Sequence, residues 1–184
     1  MPTVREQRLE IDYERLQQLV LQSGGRIAVE HAEGRPPDRY ILRLRGRGVE
    51  RLDDQQQPVL RDTHRIRVLL PARYPLDRPR IKMLTPIFHP HVWPTSEVCI
   101  GSDMLPGETI EVLIRRLLAL VQFDPRYFDF SSVAHQKAAT WAQQHLFLFP
   151  FEDTSGLPPA LDLDPPPKPL FWRDAGPQVD WKDI

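Results

Sequence analysis

Between residues 71 and 107 the chain carries prolines at Pro71, Pro75, Pro79, Pro86, Pro90, Pro94 and Pro106. Proline fixes its own φ and donates no backbone hydrogen bond, so most of this stretch is excluded from regular helix and central strand. It is expected as a long, stiffened, irregular loop, and such loops inside compact domains are usually functional. The loop also holds Cys99, the one cysteine of the chain. A single cysteine excludes an internal disulfide and a cysteine-rich metal site.

Regular structure is expected on both sides of the loop. Leu9, Tyr13, Leu16 and Val20 share one helical face, and Ser23-Gly24-Gly25 supplies the stop. Alternation then predicts four strands. They are Arg26–His31, Arg39–Arg47 (Tyr40, Leu42 and Leu44 on one face), His64–Leu70 (Ile66, Val68 and Leu70) and the short Arg80–Leu84. The polar turns Glu33–Asp38 and Leu52–Pro58 between them suit an antiparallel meander. After the loop, Ile110, Leu113, Ile114, Leu117 and Val121 predict a helix over Glu108–Val121, with Glu108 and Glu111 near its N-terminal end. A further helix fits Ser132–His145, with Ala134, Ala138 and Trp141 on one side.

From Pro150 the composition changes. Eight of the 20 prolines fall in the last 35 residues, yet Phe151, Phe171, Trp172 and Trp181 are also there. Flexible tails are poor in aromatics. The segment is expected as an extended arm that packs through Phe171, Trp172 or Trp181, on its own domain or on a partner. The division is therefore a domain over 1–149 and a Pro- and aromatic-rich extension over 150–184. Formal net charge is −1 with no basic run, which argues against a dedicated nucleic-acid binder. No apolar run reaches the roughly 20 residues needed to cross a bilayer. The N-terminus leads into a charged amphipathic segment rather than a signal peptide, so a cytoplasmic location is expected.

Taken from the residues alone, the chemistry centres on a lone thiol in a rigid loop, near His89, His91, Asp103, Asp124 and Asp129. A thiolate is a nucleophile whose reactivity follows exposure and local charge. A buried, inert thiol is the common alternative. A zinc site from His89, His91 and Cys99 lacks an evident fourth ligand.

The run Tyr74-Pro75-Leu76-Asp77-Arg78-Pro79, then Phe88-His89-Pro90-His91, then Val98-Cys99-Ile100, resembles the core of ubiquitin-conjugating enzymes. In that family a Tyr-Pro-x3-Pro motif precedes His-Pro-Asn, and the active-site cysteine follows eight residues after the Asn; here Cys99 follows eight residues after His91. The resemblance covers roughly residues 5–148. It implies an α+β fold with an N-terminal helix, a four-stranded antiparallel meander, a long active-site loop and two C-terminal helices. It implies that Cys99 receives a ubiquitin-like modifier from an activating enzyme as a thioester and passes it to an amine of a target protein. No cofactor or metal is implied.

By the same resemblance His91 stands where the motif Asn supports an oxyanion or the loop, and His89 supports the loop structurally. Asp129, five residues beyond Asp124, would orient the incoming lysine. Arg5, Arg8 and Arg15 on the first helix match the surface that meets the activating enzyme. The chain departs from the pattern at His91 and after the cysteine, where Met104-Leu105-Pro106 keeps the proline without a tryptophan. Such divergence resembles bacterial members encoded beside an activating enzyme and a ubiquitin-like protein in antiphage defence operons. Two other readings remain: an inactive scaffold that binds a ubiquitin-like protein or activating enzyme, and an unrelated cysteine hydrolase.

Overall fold

The first helix, α1 (Val4–Gln22), begins at a capping box: the Thr3 hydroxyl accepts from the Glu6 amide at 3.2 Å, and the Glu6 carboxylate accepts from the Thr3 amide at 2.6 Å. It stops where Gly24 and Gly25 take left-handed φ values of 59° and 82°, conformations open to glycine. The computed structural model describes residues 1–100, 107–124 and 130–145. Asp129, Asp103, the Met104–Pro106 segment and the arm 150–184 lie outside them.

Four strands follow: β1 (Ile27–Gly34), β2 (Pro37–Leu52), β3 (Pro58–Leu69) and β4 (Arg80–Met83), in the order β1-β2-β3-β4 and antiparallel throughout. The expected meander is therefore the observed one. Tyr40, Leu42 and Leu44 on β2 and Ile66 and Val68 on β3 turn to one face. There they pack with Leu9, Leu16 and Leu19 of α1 and with Leu113, Ile114 and Leu117 of α2 (Ile110–Val121). A smaller cluster joins Val49, Phe123, Trp141 and Ala142, the last two from α3 (Gln136–Gln144), with Phe88 against it.

The middle strands are longer than expected. β2 continues past Arg47 through a bulge between Arg45 and Gly48. Its inward positions there are glycines because α2 closes tightly on them. A Cβ at Gly48 would lie 2.7 Å from the Val121 carbonyl oxygen. With no apolar side chain at Gly46 or Gly48, the alternation that marks a strand vanishes from the sequence. The helices after the loop are shorter than expected. Glu108 precedes α2 and pairs with Arg116 at 2.8 Å, and Ser132 precedes α3.

One buried carboxylate ties the layers together. Asp12 is fully buried on the apolar face of α1. It accepts from Arg8 Nε at 2.8 Å, from the Tyr74 hydroxyl at 2.5 Å and from the Ile110 amide at 3.1 Å. The last contact caps the N-terminus of α2, where the helix dipole favours a negative charge. Arg8 also donates to the Tyr74 hydroxyl at 3.2 Å and to the Glu108 carbonyl. Burial, with Asp12 next in effect, pushes the Tyr74 phenol above its ordinary pKa.

Of the three α1 arginines expected to face a partner, Arg8 is drawn inward while Arg5 and Arg15 stay partly exposed. The Arg8 side chain is 15% exposed because the buried Asp12 requires a countercharge. Arg5 is half-turned to the Pro-rich loop, donating to the Leu70 and Pro71 carbonyls at 3.2 Å and pairing with Asp38 at 2.9 Å. Arg15 is partly buried and close enough to Glu111 to oppose the upward shift that burial gives that carboxyl. Replacing Asp12→Ala leaves Arg8 without its partner and α2 without its cap. The expected loss is about 3–5 kcal/mol, read by denaturant unfolding; a loss within 0.5 kcal/mol, the scale of ordinary surface changes, would refute the role.

Candidate active site

The segment before Cys99 is pinned by backbone hydrogen bonds on two sides. Towards β4, the Val98 amide donates to the Ile81 carbonyl at 3.0 Å and the Met83 amide to the Ser96 carbonyl at 2.8 Å. Towards the preceding loop, Val92 pairs with Val98, and the Trp93 amide donates to the Glu97 carbonyl at 2.9 Å. The turn between them closes through the Ser96 amide and the Trp93 carbonyl at 2.7 Å, with Ser96 at φ 72°. Cys99 is half-buried at the end of this short extended segment. Its amide donates to the His91 carbonyl at 2.8 Å. That amide is thereby occupied, so an oxyanion on an acyl group bonded to Sγ would need another donor.

His89, Pro90 and His91 make three separate links in succession. The His91 amide donates to His89 Nδ1 at 3.0 Å, and the His89 ring lies beside the Leu120 carbonyl in the last turn of α2. The Pro90 carbonyl accepts from the Ala134 and His135 amides at 2.7 and 2.9 Å, the entrance to α3. The His91 carbonyl holds Cys99. His89 and His91 are both buried, and their rings lie 5.8 Å apart.

His89 must be neutral to accept at Nδ1. Burial drives its pKa well below the ordinary histidine value, and the neighbouring His91 adds to this. The other face of the site is set by Phe123, whose ring centroid is 4.3 Å from that of His89. Phe123 sits at φ 58°, and α2 ends there through the Phe123 amide on Leu120 and the Asp124 amide on Ala119. This is the paired closure of a Schellman motif. A left-handed backbone costs a non-glycine residue roughly 1–2 kcal/mol; here it puts the ring against His89.

The structure thus brings together Cys99, His89 and His91. It holds Arg5, Arg8 and Arg15 away from them on α1, and Asp129 lies outside the described residues. Asp124, in the turn that closes α2, is fully buried. Among the described residues no group of three or more His, Cys, Asp or Glu side chains is placed to hold a metal ion, and no helix is long and apolar enough to cross a membrane. Sequence reasoning missed the Phe123 backbone and the buried Asp12. The second had a signal, since position 12 falls on the same helical face as Leu9, Leu16 and Leu19.

Residues 55–141 match the family model described as ubiquitin-conjugating enzyme, a span that includes β3, β4, the Pro-rich loop, Cys99 and α2. The fold is that of the ubiquitin-conjugating enzymes. Among curated proteins the chain is similar to Ubiquitin-conjugating enzyme E2 T of Bos taurus, 28% identical over 106 residues, covering 48% of this chain and 54% of that protein. It is also similar to Ubiquitin-conjugating enzyme E2 T of Homo sapiens, 35% identical over 49 residues, covering 27% of this chain and 25% of that protein. It therefore spans about half or less of the length of these relatives. The solved structure of human Ubiquitin-conjugating enzyme E2 G1 aligns with a TM-score of 0.47 and 18% identity, covering 63% of this chain and 95% of that chain. In this ubiquitin-conjugating fold, α1, the meander, the loop and the two later helices all occur in the expected order.

The neutral, buried histidines make stability pH-dependent. Burial lowers the pKa of both His89 and His64, so below about pH 6.5 the unfolded chain binds more protons than the folded one. Stability is complete above that pH and declines as pH falls below it, by at most about 1.4 kcal/mol per unit for each histidine. Urea midpoints measured from pH 7.5 to 5.5 should fall, and His89→Gln, which keeps an acceptor for the His91 amide, should flatten the slope. Equal slopes in the two proteins would contradict the assignment to His89.

Proposed function

We propose that the protein is a conjugating enzyme that carries a ubiquitin-like modifier on Cys99. The observation that carries this reading is the placement of the thiol. It is half-buried at the end of a backbone-pinned segment, eight residues after His91, inside the part of the chain that matches the ubiquitin-conjugating family. In the first step the Cys99 thiolate attacks the thioester carbonyl of the modifier held on an activating enzyme. A C–S bond forms to Sγ, and the activating enzyme's thiolate leaves. In the second step an amine of the target attacks the same carbonyl. The Sγ–C bond breaks, Cys99 leaves as thiolate, and the amine proton passes to a base or water. A thiolate serves both as attacking and as leaving group, which the two-step relay requires.

The remaining roles follow from this reading. His91 contributes to the second step, through an imidazole N–H towards the developing oxyanion or by ordering the loop. His89 supports the loop through the His91 amide and its packing against Phe123. Asp129 attracts and orients the incoming ammonium. Arg5 and Arg15 offer their partly exposed ends to the activating enzyme. The partners are an activating enzyme, a ubiquitin-like modifier and a target protein. The finer assignment is a divergent, bacterial-type member of an antiphage defence operon; its support is the histidine in the Asn position, and an adjacent activating-enzyme gene is its test.

Incubated with an activating enzyme, ATP and ubiquitin or the ubiquitin-like protein encoded nearby, the protein should form an adduct that dithiothreitol releases. Cys99→Ser should convert it to a reductant-stable oxyester, and Cys99→Ala should abolish it. An adduct that survives Cys99→Ala refutes the reading, and loading without any transfer to amines favours the scaffold. For His91→Ala, single-turnover transfer to free lysine should slow about 100-fold, the lower end of the range for losing a transition-state donor, with loading of Cys99 changed far less. Equal slowing of both steps would contradict an oxyanion role.

A further inference from the structure

β2 turns Tyr40, Leu42 and Leu44 into the core, so Arg39, Arg43 and Arg45 project from the opposite face of the sheet. The strand register sets Arg43 opposite Arg65, and Arg67 of β3 opposite Lys82 of β4. Like charges directly opposite one another destabilise a sheet. Among the described residues three carboxylates share this face and Asp38 reaches Arg39 from its edge at 3.7 Å. Glu30 reaches Arg65 at 2.7 Å and Arg43 at 3.8 Å, Glu33 reaches Arg39 at 2.6 Å, and Glu97 is bridged to Lys82 through the backbone. Six cations against these four carboxylates leave the face positive. These residues lie far apart along the chain, so no basic run appears in the sequence; the meander gathers them.

The chain carries the opposite charge elsewhere. Residues 150–184 hold seven acids against three bases, a net −4, while the whole chain is −1 and the first 149 residues are therefore +3. Within the arm, Leu161-Asp162-Leu163-Asp164 alternates apolar and acidic residues. In an extended chain alternate side chains lie on one side about 6–7 Å apart. That is also the separation of Arg43 from Arg45 along β2 and of Arg65 from Arg67 along β3.

Reach is sufficient. Trp141 Nε1 donates to the Gln56 carbonyl in the β2–β3 turn at 3.1 Å, and His145 stacks on Trp141 at 4.9 Å. The end of α3 thus sits at one end of the sheet. The 17 residues from His145 to Asp162 span up to about 55 Å when extended. β2 from Leu52 back to Arg39 is about 43 Å long.

We propose that the acidic arm, residues 150–184, docks on the outer sheet face of its own chain, with Asp162 and Asp164 over the Arg43/Arg65 and Arg67/Lys82 pairs. The contact does not depend on the chemistry at Cys99.

A water-soluble carbodiimide, which joins an amine to a carboxylate with no spacer, tests this on the full chain. Mass-spectrometric mapping should find Lys82 joined to Asp162 or Asp164. In a mixture of 14N- and 15N-labelled protein the links should stay within one chain. They should disappear near 1 M NaCl, where the screening length is about 3 Å, and in Arg43→Glu/Arg65→Glu. Arg43→Lys/Arg65→Lys, which keeps the charge, should preserve them and add new links from both lysines to the arm. Links from Lys82 only to Glu30 or Glu97, links that survive high salt, or links between labelled and unlabelled chains would overturn docking in cis, the last pointing to a second copy. The salt series uses the unmodified protein, so it decides even if the charge-reversed sheet fails to fold.

Discussion

The neutral imidazole of His89 is the contact on which the geometry around Cys99 depends. It accepts from the His91 amide on one side and lies beside the end of α2 on the other, with the Phe123 ring closing against it. Because the His91 carbonyl then holds the Cys99 amide, the thiol is referenced to the core through one backbone hydrogen bond and one from the His91 amide to the buried His89 ring. Pro90, between the two histidines, fixes the local φ and offers its carbonyl to α3. A charged His89 would lose its acceptor nitrogen, so the desolvation that keeps it neutral is part of what holds the loop.

α2 is fixed at both ends. Its first amide is held by Asp12, and the carbonyl of Leu120 meets His89. Asp12 also takes the hydroxyl of Tyr74, so the start of the Pro-rich loop is tied to the same carboxylate that positions α2. The long irregular loop thereby has an anchor at Tyr74, another at His89 and a third where Met83 and Val98 bond across β4. Proline stiffness between anchors and buried polar bonds at them replace the regular hydrogen bonding that the prolines forbid. Rigid placement of this kind suits the two-step relay proposed for Cys99.

Much of the fold was legible in the sequence where side-chain periodicity reports directly on burial. Tyr40, Leu42 and Leu44, Ile66 and Val68, and the stripe from Ile110 to Val121 all point into the core as their spacing predicts. Legibility failed where a contact removed the pattern or joined distant residues. Gly46 and Gly48 erase the alternation of β2 because α2 needs their space. Phe123 reads as the start of a linker, yet its left-handed backbone ends α2 and aims a ring at His89. Arg8 looks like a surface residue on a helical wheel until Asp12 is known to be buried beside it. The position of Cys99 relative to His91 was readable from spacing; the hydrogen bond between them was not, because it is made by backbone atoms.

The central claim is that Cys99 itself carries the modifier. Intact-mass measurement of the wild-type protein, quenched at acidic pH after incubation with an activating enzyme, ATP and the modifier, tests it most directly. The account predicts one added mass equal to the modifier less one water, removed by thiol and mapped by peptide analysis to Cys99. An adduct mapped to a lysine or to another residue, with an unmodified Cys99, would contradict it.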